Sequence, residues 1–528
     1  MTKSKTIVLV GGGHNGLVCA TYIAKGLGKA GYAVQVLEAR DNIGGAATTR
    51  SFGEDSNGRG FKVSGLAHVL HSLSPQICTD LDLTSVGFMA GPSIETISLG
   101  LEGDHLMLGA QAVSGNSLSR KDIESYARFK KKFRSYAKAL QPLMTNKPPR
   151  LKDMDRRDLI TLTKLGWALR FGLGANSMLE LLRVGGINIY DVLNEEFDNE
   201  RLKGAIAADA VIGHHMGPRT PTTVLTYLHR LQGEMHSPQT LPPGGMGQVT
   251  EALANAARKA GVVIRTGAKV ARILVQEGAV TGVELDSGER IDAALVISNA
   301  DAKTTFLKLV GTQDLDAMFA HRILKTRTNG TVAKLHLGLA GLPEVSGLSV
   351  DQLGQRLLIS PDMRYVEHAF NHAKYGEFSE RPVLEITIPS ITDSSLARGN
   401  HHVMSVVASF APYTLKTGWD QGRDVFTDRI VALLGEYFPG IASQIVAREL
   451  LTPVDIEAEY NITGGHWHHG ELSIDQSFMM RPIHGAAQYD TPVDGLFLCG
   501  AAAHPGGGVT GVPGRIAAER ILAMSSGK

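Results

Sequence analysis

The sequence predicts an α/β protein in which a Rossmann-like domain, built on a parallel sheet, is interleaved with a second domain of mixed α+β character. Three observations carry this reading. The chain opens with a strand, a glycine loop, a helix and a second strand, and it closes with another strand, glycine loop and helix. Between these ends, a long helical stretch and a later run of strands each interrupt the pattern. At 528 residues the chain is too long for one ordinary core, so two domains sharing an interface are expected.

The first strand is Thr6–Val10, followed by Gly11-Gly12-Gly13-His14-Asn15-Gly16 and a helix from about Leu17 to Ala30. Gly31-Tyr32 turns the chain into a second strand, Ala33–Leu37, which completes a βαβ unit. G-x-G-x-x-G is a weak signal alone. Here it follows a strand, opens a helix and has Glu38 at the end of the second strand, which makes it a dinucleotide site. Gly11 permits the tight turn, Gly13 lets backbone approach a pyrophosphate, and Gly16 lets helix and strand pack closely. The helix N-terminus offers free N–H groups to phosphate. Glu38 can accept from both ribose hydroxyls and disfavours a 2′-phosphate, so NADP fits poorly.

From about Ser119 to Gly233 the pattern is helical and basic, with Lys130, Lys131, Lys132, Arg134, Arg156, Arg157, Lys164 and Arg170, and a break at Pro148-Pro149. The segment Leu159–Gly185 mixes apolar residues with spaced cations. It reads as a helical layer of the second domain or as a peripheral contact with a membrane surface, and the pattern favours the first. Pro242-Pro243-Gly244-Gly245 restarts an α/β pattern: a helix over Gln248–Lys259, then strands at Val262–Arg265, Ala268–Gln276, Ala279–Leu285 and Leu295–Ser298. Thr331–Pro389 and His402–Phe410 read as longer strands. Leu496–Cys499, the loop Gly500–Gly508 and a helix over Val512–Ala523 end the chain. The dinucleotide domain is therefore expected to comprise residues 1–118, 234–310 and 485–528, and the substrate domain residues 119–233 and 311–484.

Composition excludes several classes. Lys plus Arg is 53 and Asp plus Glu is 52, a net charge of +1 that calls for no nucleic-acid partner. Cys19, Cys78 and Cys499 are sparse and unpaired in sequence, which suits neither a disulfide framework, a zinc site nor a C-x-x-C redox pair. A reducing, cytoplasmic setting is expected. Residues 1–5 run straight into a strand, so no leader is expected, and charges interrupt every apolar run of membrane-spanning length.

The segment Glu38-Ala39-Arg40 continuing to Gly44-Gly45-Ala46 resembles the E-x-R-x-x-x-G-G extension of FAD-binding oxidoreductases of the amine-oxidase and phytoene-desaturase type. Many members carry arginine where Ala46 stands, so one phosphate or flavin contact is expected to be missing or replaced. Pro243–Gln248 resembles the family's return to the cofactor domain, with Val270 where a backbone contact to adenine is usual. Val296–Ala300, which holds Asn299, resembles the strand that closes this part. Gly495–Gly514, with Gly500, Ala501, Gly508 and Val509, resembles the C-terminal flavin signature of phytoene desaturases and carotenoid isomerases. The best match within this branch is the subgroup typified by pyridine nucleotide-disulfide oxidoreductase domain-containing protein 2. The resemblance spans nearly the whole chain and implies a non-covalent FAD held by these residues together with Gly11, Gly13, His14, Asn15 and Gly16. Bare N–H groups near the last helix suit negative charge on a reduced flavin. A single glycine fingerprint suggests reduction of the flavin by an organic substrate, with oxygen or a quinone as the acceptor.

Catalytic candidates follow. His504, inside the flavin signature, either moves a proton or bonds the loop backbone. Gly464-Gly-His-Trp-His-His-Gly470 places His466, Trp467, His468 and His469 together. Its spacing lacks the partner cluster a metal needs, so no metal is expected, and the segment reads as a cavity wall or a structural turn. Phe61–His68 resembles the family loop that approaches the flavin, which makes His68 or His71 a ring contact. His214-His215 is a cavity candidate by analogy, and Tyr227, Tyr365 and Tyr413 read as core or rim. No nucleophile elbow or Gly-Lys-Ser/Thr loop supports hydrolysis. The expected activity is a desaturase or dehydrogenase that moves a hydride from substrate C–H to flavin N5 and forms C=C in an apolar polyene, lipid or alicyclic substrate. Amine or alcohol oxidation and non-redox isomerisation are the alternatives.

Overall fold

The computed structural model describes residues 5–54, 60–150 and 152–525, so the expectation for residues 1–4 lies outside the described residues. Strand β1 (Thr6–Val10), helix α1 (His14–Leu27) and strand β2 (Ala33–Leu37) form the expected βαβ unit. The sheet has five strands, ordered Leu496–Leu498, Leu295–Ser298, β1, β2, Val263–Arg265, and every pairing is parallel. Ile7, Val8 and Leu9 are fully buried, because the parallel sheet shares its core with helix α1, the C-terminal helix and a three-stranded antiparallel sheet (Val270–Gln276, Ala279–Leu285 and Arg290–Asp292). Helix α1 starts at His14 rather than Leu17, since extended Gly13 already serves as its N-cap. It packs on the C-terminal helix Val512–Ser525, so the first and last segments of the chain share one core.

The second domain centres on an eight-stranded mixed sheet. Its strands Thr96–Ser98, Leu106–Leu108 and Val113–Ser114 come from the stretch expected in the dinucleotide domain. Thr96–Ser98 pairs in parallel with Arg356–Ile359, so the first segment leaves the dinucleotide domain before residue 96, not at 118. Short strands like these show their partner only through distant pairing. The long strand expected over Thr331–Pro389 is also divided. Strand β3 (Val332–Leu339), Arg356–Ile359 and strand β4 (Leu384–Thr387) are separate, with a helix at Met363–Lys374.

Period-2 alternation sorts the faces of this sheet. Strand β5 (His402–Ser409) lies between β3 and β4. Leu335, Leu337, Met404, Val406 and Ile386 pack with Phe426, Ile430 and Leu434 of the helix Trp419–Tyr437. The opposite face carries polar groups that are nevertheless buried. Val407 sits opposite both Lys334 and Glu385, and Ser405 sits opposite both His336 and Thr387.

Helices α2 (Arg120–Met144), α3 (Arg156–Trp167), α4 (Ala175–Gly185) and α5 (Thr223–His236) belong to the expected helical layer. Phe129 and Phe133 of α2 meet Tyr227 of α5 in its core. The α2–α3 connection is fastened by Lys147. Its Nζ donates to Asp155 (2.9 Å), Asp158 (2.6 Å) and Gln488 (3.1 Å), and the two carboxylates also close the capping box of α3. Asp158 is wholly buried. Lys147→Met therefore leaves a buried carboxylate without its counter-charge and should destabilise the fold by about 3–5 kcal/mol. Urea unfolding checks this, and an unchanged midpoint contradicts it.

Candidate functional site

A cavity of about 680 Å³ lies between the parallel sheet and the polar face of the second sheet. Its dinucleotide end is built from backbone. Gly11 has φ +99°, and a Cβ at Gly16 would lie 2.4 Å from the Gly11 carbonyl oxygen, so position 16 tolerates no side chain. Gly44 N–H donates to the Gly12 carbonyl (2.9 Å), which lays the Gly44-Gly45 turn beside the first glycine loop. Glu38 is fixed by two amides: Gly12 N–H donates to Oε2 (2.7 Å) and Arg40 N–H to Oε1 (2.9 Å). Each oxygen keeps a lone pair for a ribose hydroxyl.

The residues present fit a dinucleotide. Asn15 Oδ1, Arg40 Nη1 and Ser72 Oγ are buried polar atoms without a protein partner, and all three residues line the cavity. The Arg40 guanidinium lies 4.8 Å from the Tyr460 ring centroid, which holds its charge at the wall. Every cofactor residue expected from sequence lines the cavity except Gly16 and Gly500. Those two act one layer back: Gly16 against Gly11, and Gly500 against the backbone of Asn299, which a Cβ would meet at 2.4 Å.

The four catalytic candidates divide. His68 and Trp467 line the cavity; His504 and His466 stand behind it. His504 Nε2–H donates to the Leu143 carbonyl (2.8 Å), and burial pulls its pKa down to about 4, so it is a neutral structural tie. His466 packs near Glu471 (3.7 Å), whose other oxygen accepts from His214 Nδ1–H (2.8 Å). Burial would raise the Glu471 pKa, but the hydrogen bond from His214 and the nearby His466 ring outweigh it and hold the carboxyl ionised. Among the described residues, no group of three His, Cys, Asp or Glu is arranged to hold a metal. Arg481 organises this segment. Its guanidinium donates to the carbonyls of His468 (2.6 Å), Glu471 (2.9 Å), Gln476 (3.1 Å) and Ala501 (2.8 Å).

Sequence reasoning missed the polar roof above His68. His68 Nε2–H donates to Glu385 (2.7 Å), and Thr387 Oγ1 donates to His68 Nδ1 (3.3 Å). Arg356 binds Glu385 (2.5 Å) and Asp209 (2.6 Å), and Arg230 approaches Asp209 (3.2 Å). Lys334 is fully buried with no partner for Nζ, and burial pushes its pKa far below the usual lysine range. The available signal was charge at alternate positions of otherwise apolar strands, as in Lys334-Leu-His336 and Glu385-Ile-Thr387.

Burial also pulls His14, His68, His71 and His229 down to about 4. His14 and His229 donate to the Gly508 (3.1 Å) and Gly507 (3.3 Å) carbonyls, fixing the C-terminal glycine loop from two sides. With His504, five histidines are neutral in the fold and take a proton near pH 6.5 when unfolded. The unfolded state thus binds more protons below that pH, and stability is lost as pH falls from 6.5 toward 4. Melting temperature against pH checks this; a flat profile between pH 7 and 5 contradicts it. Glu38→Ala removes the acceptor shared by two amides and the ribose. Binding of FAD should weaken about 100-fold with the fold retained. Cofactor retention on dialysis measures this, and unchanged affinity refutes it.

Residues 16–522 match the family described as Flavin containing amine oxidoreductase. Pyridine nucleotide-disulfide oxidoreductase domain-containing protein 2 of Mus musculus is 33% identical over 98% of this chain and 93% of its own length. A limonene dehydrogenase component of Castellaniella defragrans is 26% identical over 98% of this chain and 94% of its own. Among solved structures, a putrescine oxidase variant aligns with a TM-score of 0.60 at 15% identity, covering 99% of this chain and 98% of that one.

Proposed function

Since the chain belongs to the flavin-containing amine oxidoreductase family and takes FAD as its cofactor, we propose that it is a desaturase acting on a neutral, apolar or alicyclic substrate. The observation that carries this reading is that every carboxylate lining the cavity already has a partner. Glu38 is held by backbone amides, Asp209 by Arg356 and Arg230, Glu385 by Arg356 and His68, Glu457 by Tyr413, and Asp286 by Lys269. Cations neutralise Asp209, Glu385 and Asp286, while neutral donors occupy Glu38 and Glu457, so a substrate ammonium would have to displace an existing bond to gain a carboxylate partner. Nor do facing aromatic rings replace one: Tyr460 and Trp467 are the Phe, Tyr or Trp side chains on the wall, and Tyr460 is covered by Arg40. A hydrocarbon needs neither. The motif resemblance to phytoene desaturases and the likeness to a limonene dehydrogenase component, named for a neutral cyclic hydrocarbon, agree with this.

FAD, when bound, would supply the hydride acceptor, with oxygen or a quinone as the final acceptor. The chain supplies position, dryness and a base. Gly11, Gly13, Glu38, Arg40, Gly44 and Gly45 hold the dinucleotide, while Ala501, Gly508 and Val509 form the wall of the C-terminal signature. Trp467, packed on Gly213, gives an apolar face. His68 is the candidate to take the neighbouring proton: with Nε2–H held by Glu385, Nδ1 is its basic atom, and it is free to accept once the Thr387 hydroxyl turns away from it. It is neutral, and Glu385 fixes its Nε2–H and favours the imidazolium once formed.

Aerobic incubation with a cyclic monoterpene or a polyene should yield a product that has lost two hydrogens. Unchanged mass with a moved double bond would mean isomerisation, and turnover of amines alone would mean an amine oxidase. His68→Gln should keep FAD bound and lower kcat about 100- to 10,000-fold. Wild-type kcat in that variant removes His68 from the mechanism.

A further inference from the structure

From the exposed faces of α3 and α4 we infer that this helix pair docks the protein on an anionic lipid bilayer. Few side chains of these helices enter the core: Asp158 and Thr161 of α3, and Leu181 and Val184 of α4. The outward face is apolar instead. Trp167 is 64% exposed, Phe171 69% and Leu182 67%, with Ile160 and Leu179 beside them in the sequence pattern. The Trp167 and Phe171 ring centroids lie 6.5 Å apart, and large exposed apolar side chains this dense in one short segment mark an interaction surface.

The charges around the patch choose the occupant. Arg156, Arg157, Lys164 and Arg170 are exposed, and among the described residues none of them enters a salt bridge. From the α3 N-cap to the end of α4 the acids are already engaged: Asp155 and Asp158 by Lys147, and Glu180 by Arg183. Arg156, Ile160, Lys164 and Trp167 recur at helical spacing, so cations and apolar groups share one face of α3. Long basic side chains can reach lipid phosphates while Trp, Phe and Leu enter the acyl boundary, the pattern of a helix lying in the interface. No helix of the described residues is long and apolar enough to cross a membrane, so the pair lies on the bilayer. Lys147 fastens the inner end of α3 and leaves the outer face free to insert.

The interior leads the same way. A recess of about 30 Å³ shares Met144, Thr226, His229 and Gln232 with the main cavity. It extends to Leu225, the side chain nearest to Gly185 of α4. The recess holds no more than about one water molecule, so a route for an apolar compound from the docked helices inward would require Leu225 and its neighbours to move aside. That route rests on the desaturase reading; the docking does not.

The test uses the FAD-loaded protein and vesicles of phosphatidylcholine with and without phosphatidylglycerol. Flotation should occur with the anionic vesicles and fall at least tenfold without the anionic lipid. Brominated acyl chains should quench Trp167, the most exposed of the three tryptophans. Trp167→Ser with Phe171→Ser should abolish flotation while the flavin spectrum stays native. Replacing the four cations by Gln should remove the preference for anionic vesicles. Absence of flotation, or wild-type flotation by the double variant, overturns the proposal. A dimer that the double variant converts to monomer, without vesicle binding, also overturns it and makes the face a contact between two copies. Neither result touches turnover of a soluble alicyclic substrate, so the two readings fail separately.

Discussion

One buried guanidinium joins the two halves of the cavity. Arg481 reaches the Ala501 carbonyl in the C-terminal glycine segment and the carbonyls of His468, Glu471 and Gln476 in the histidine segment. Loop backbone in a protein interior must have its carbonyls satisfied, and neither segment has a ladder to do so. A single planar cation with several donors meets that need where lysine could not. Burial lowers its pKa only to about 10, so it stays charged at neutral pH. The position of Trp467 on the cavity wall, and of the glycine segment opposite, follows from this tie.

The rest of the site repeats the principle of fixing polar groups before a ligand arrives. Glu38 is held by two amides, Glu385 by His68 and Arg356, and the glycine loop by His14 and His229. Groups already paired do not have to reorganise when a substrate enters, and an ionic substrate would have to displace an existing bond to reach them. Preorganisation and selectivity for a neutral substrate thus have one cause. Cost appears in the same place: Lys334 and the depressed histidines are buried against their own ionisation.

The dinucleotide half of this architecture was legible in the sequence because its determinants are local. Gly11, Gly13, Gly16, Glu38 and the Gly44-Gly45 turn lie within one βαβ unit and its extension, and each acts through backbone geometry. The second half was less legible because its determinants are distant in sequence. Strand Thr96–Ser98 finds its partner at Arg356–Ile359, and His68 finds Glu385. No short window contains both members of either pair. His504 shows the converse. Its place inside a strong motif suggested chemistry, yet its ring is turned to the Leu143 carbonyl, a contact that only the packed helical layer supplies.

The central claim is that the cavity holds FAD ready to oxidise a neutral substrate. An anaerobic titration of the FAD-loaded protein, with an alicyclic hydrocarbon in one cell and a primary amine in another, tests it most directly. Bleaching of the oxidised flavin band by the hydrocarbon and not by the amine is the predicted result. Bleaching by the amine alone would show that the cavity accepts a cation, and would contradict the account.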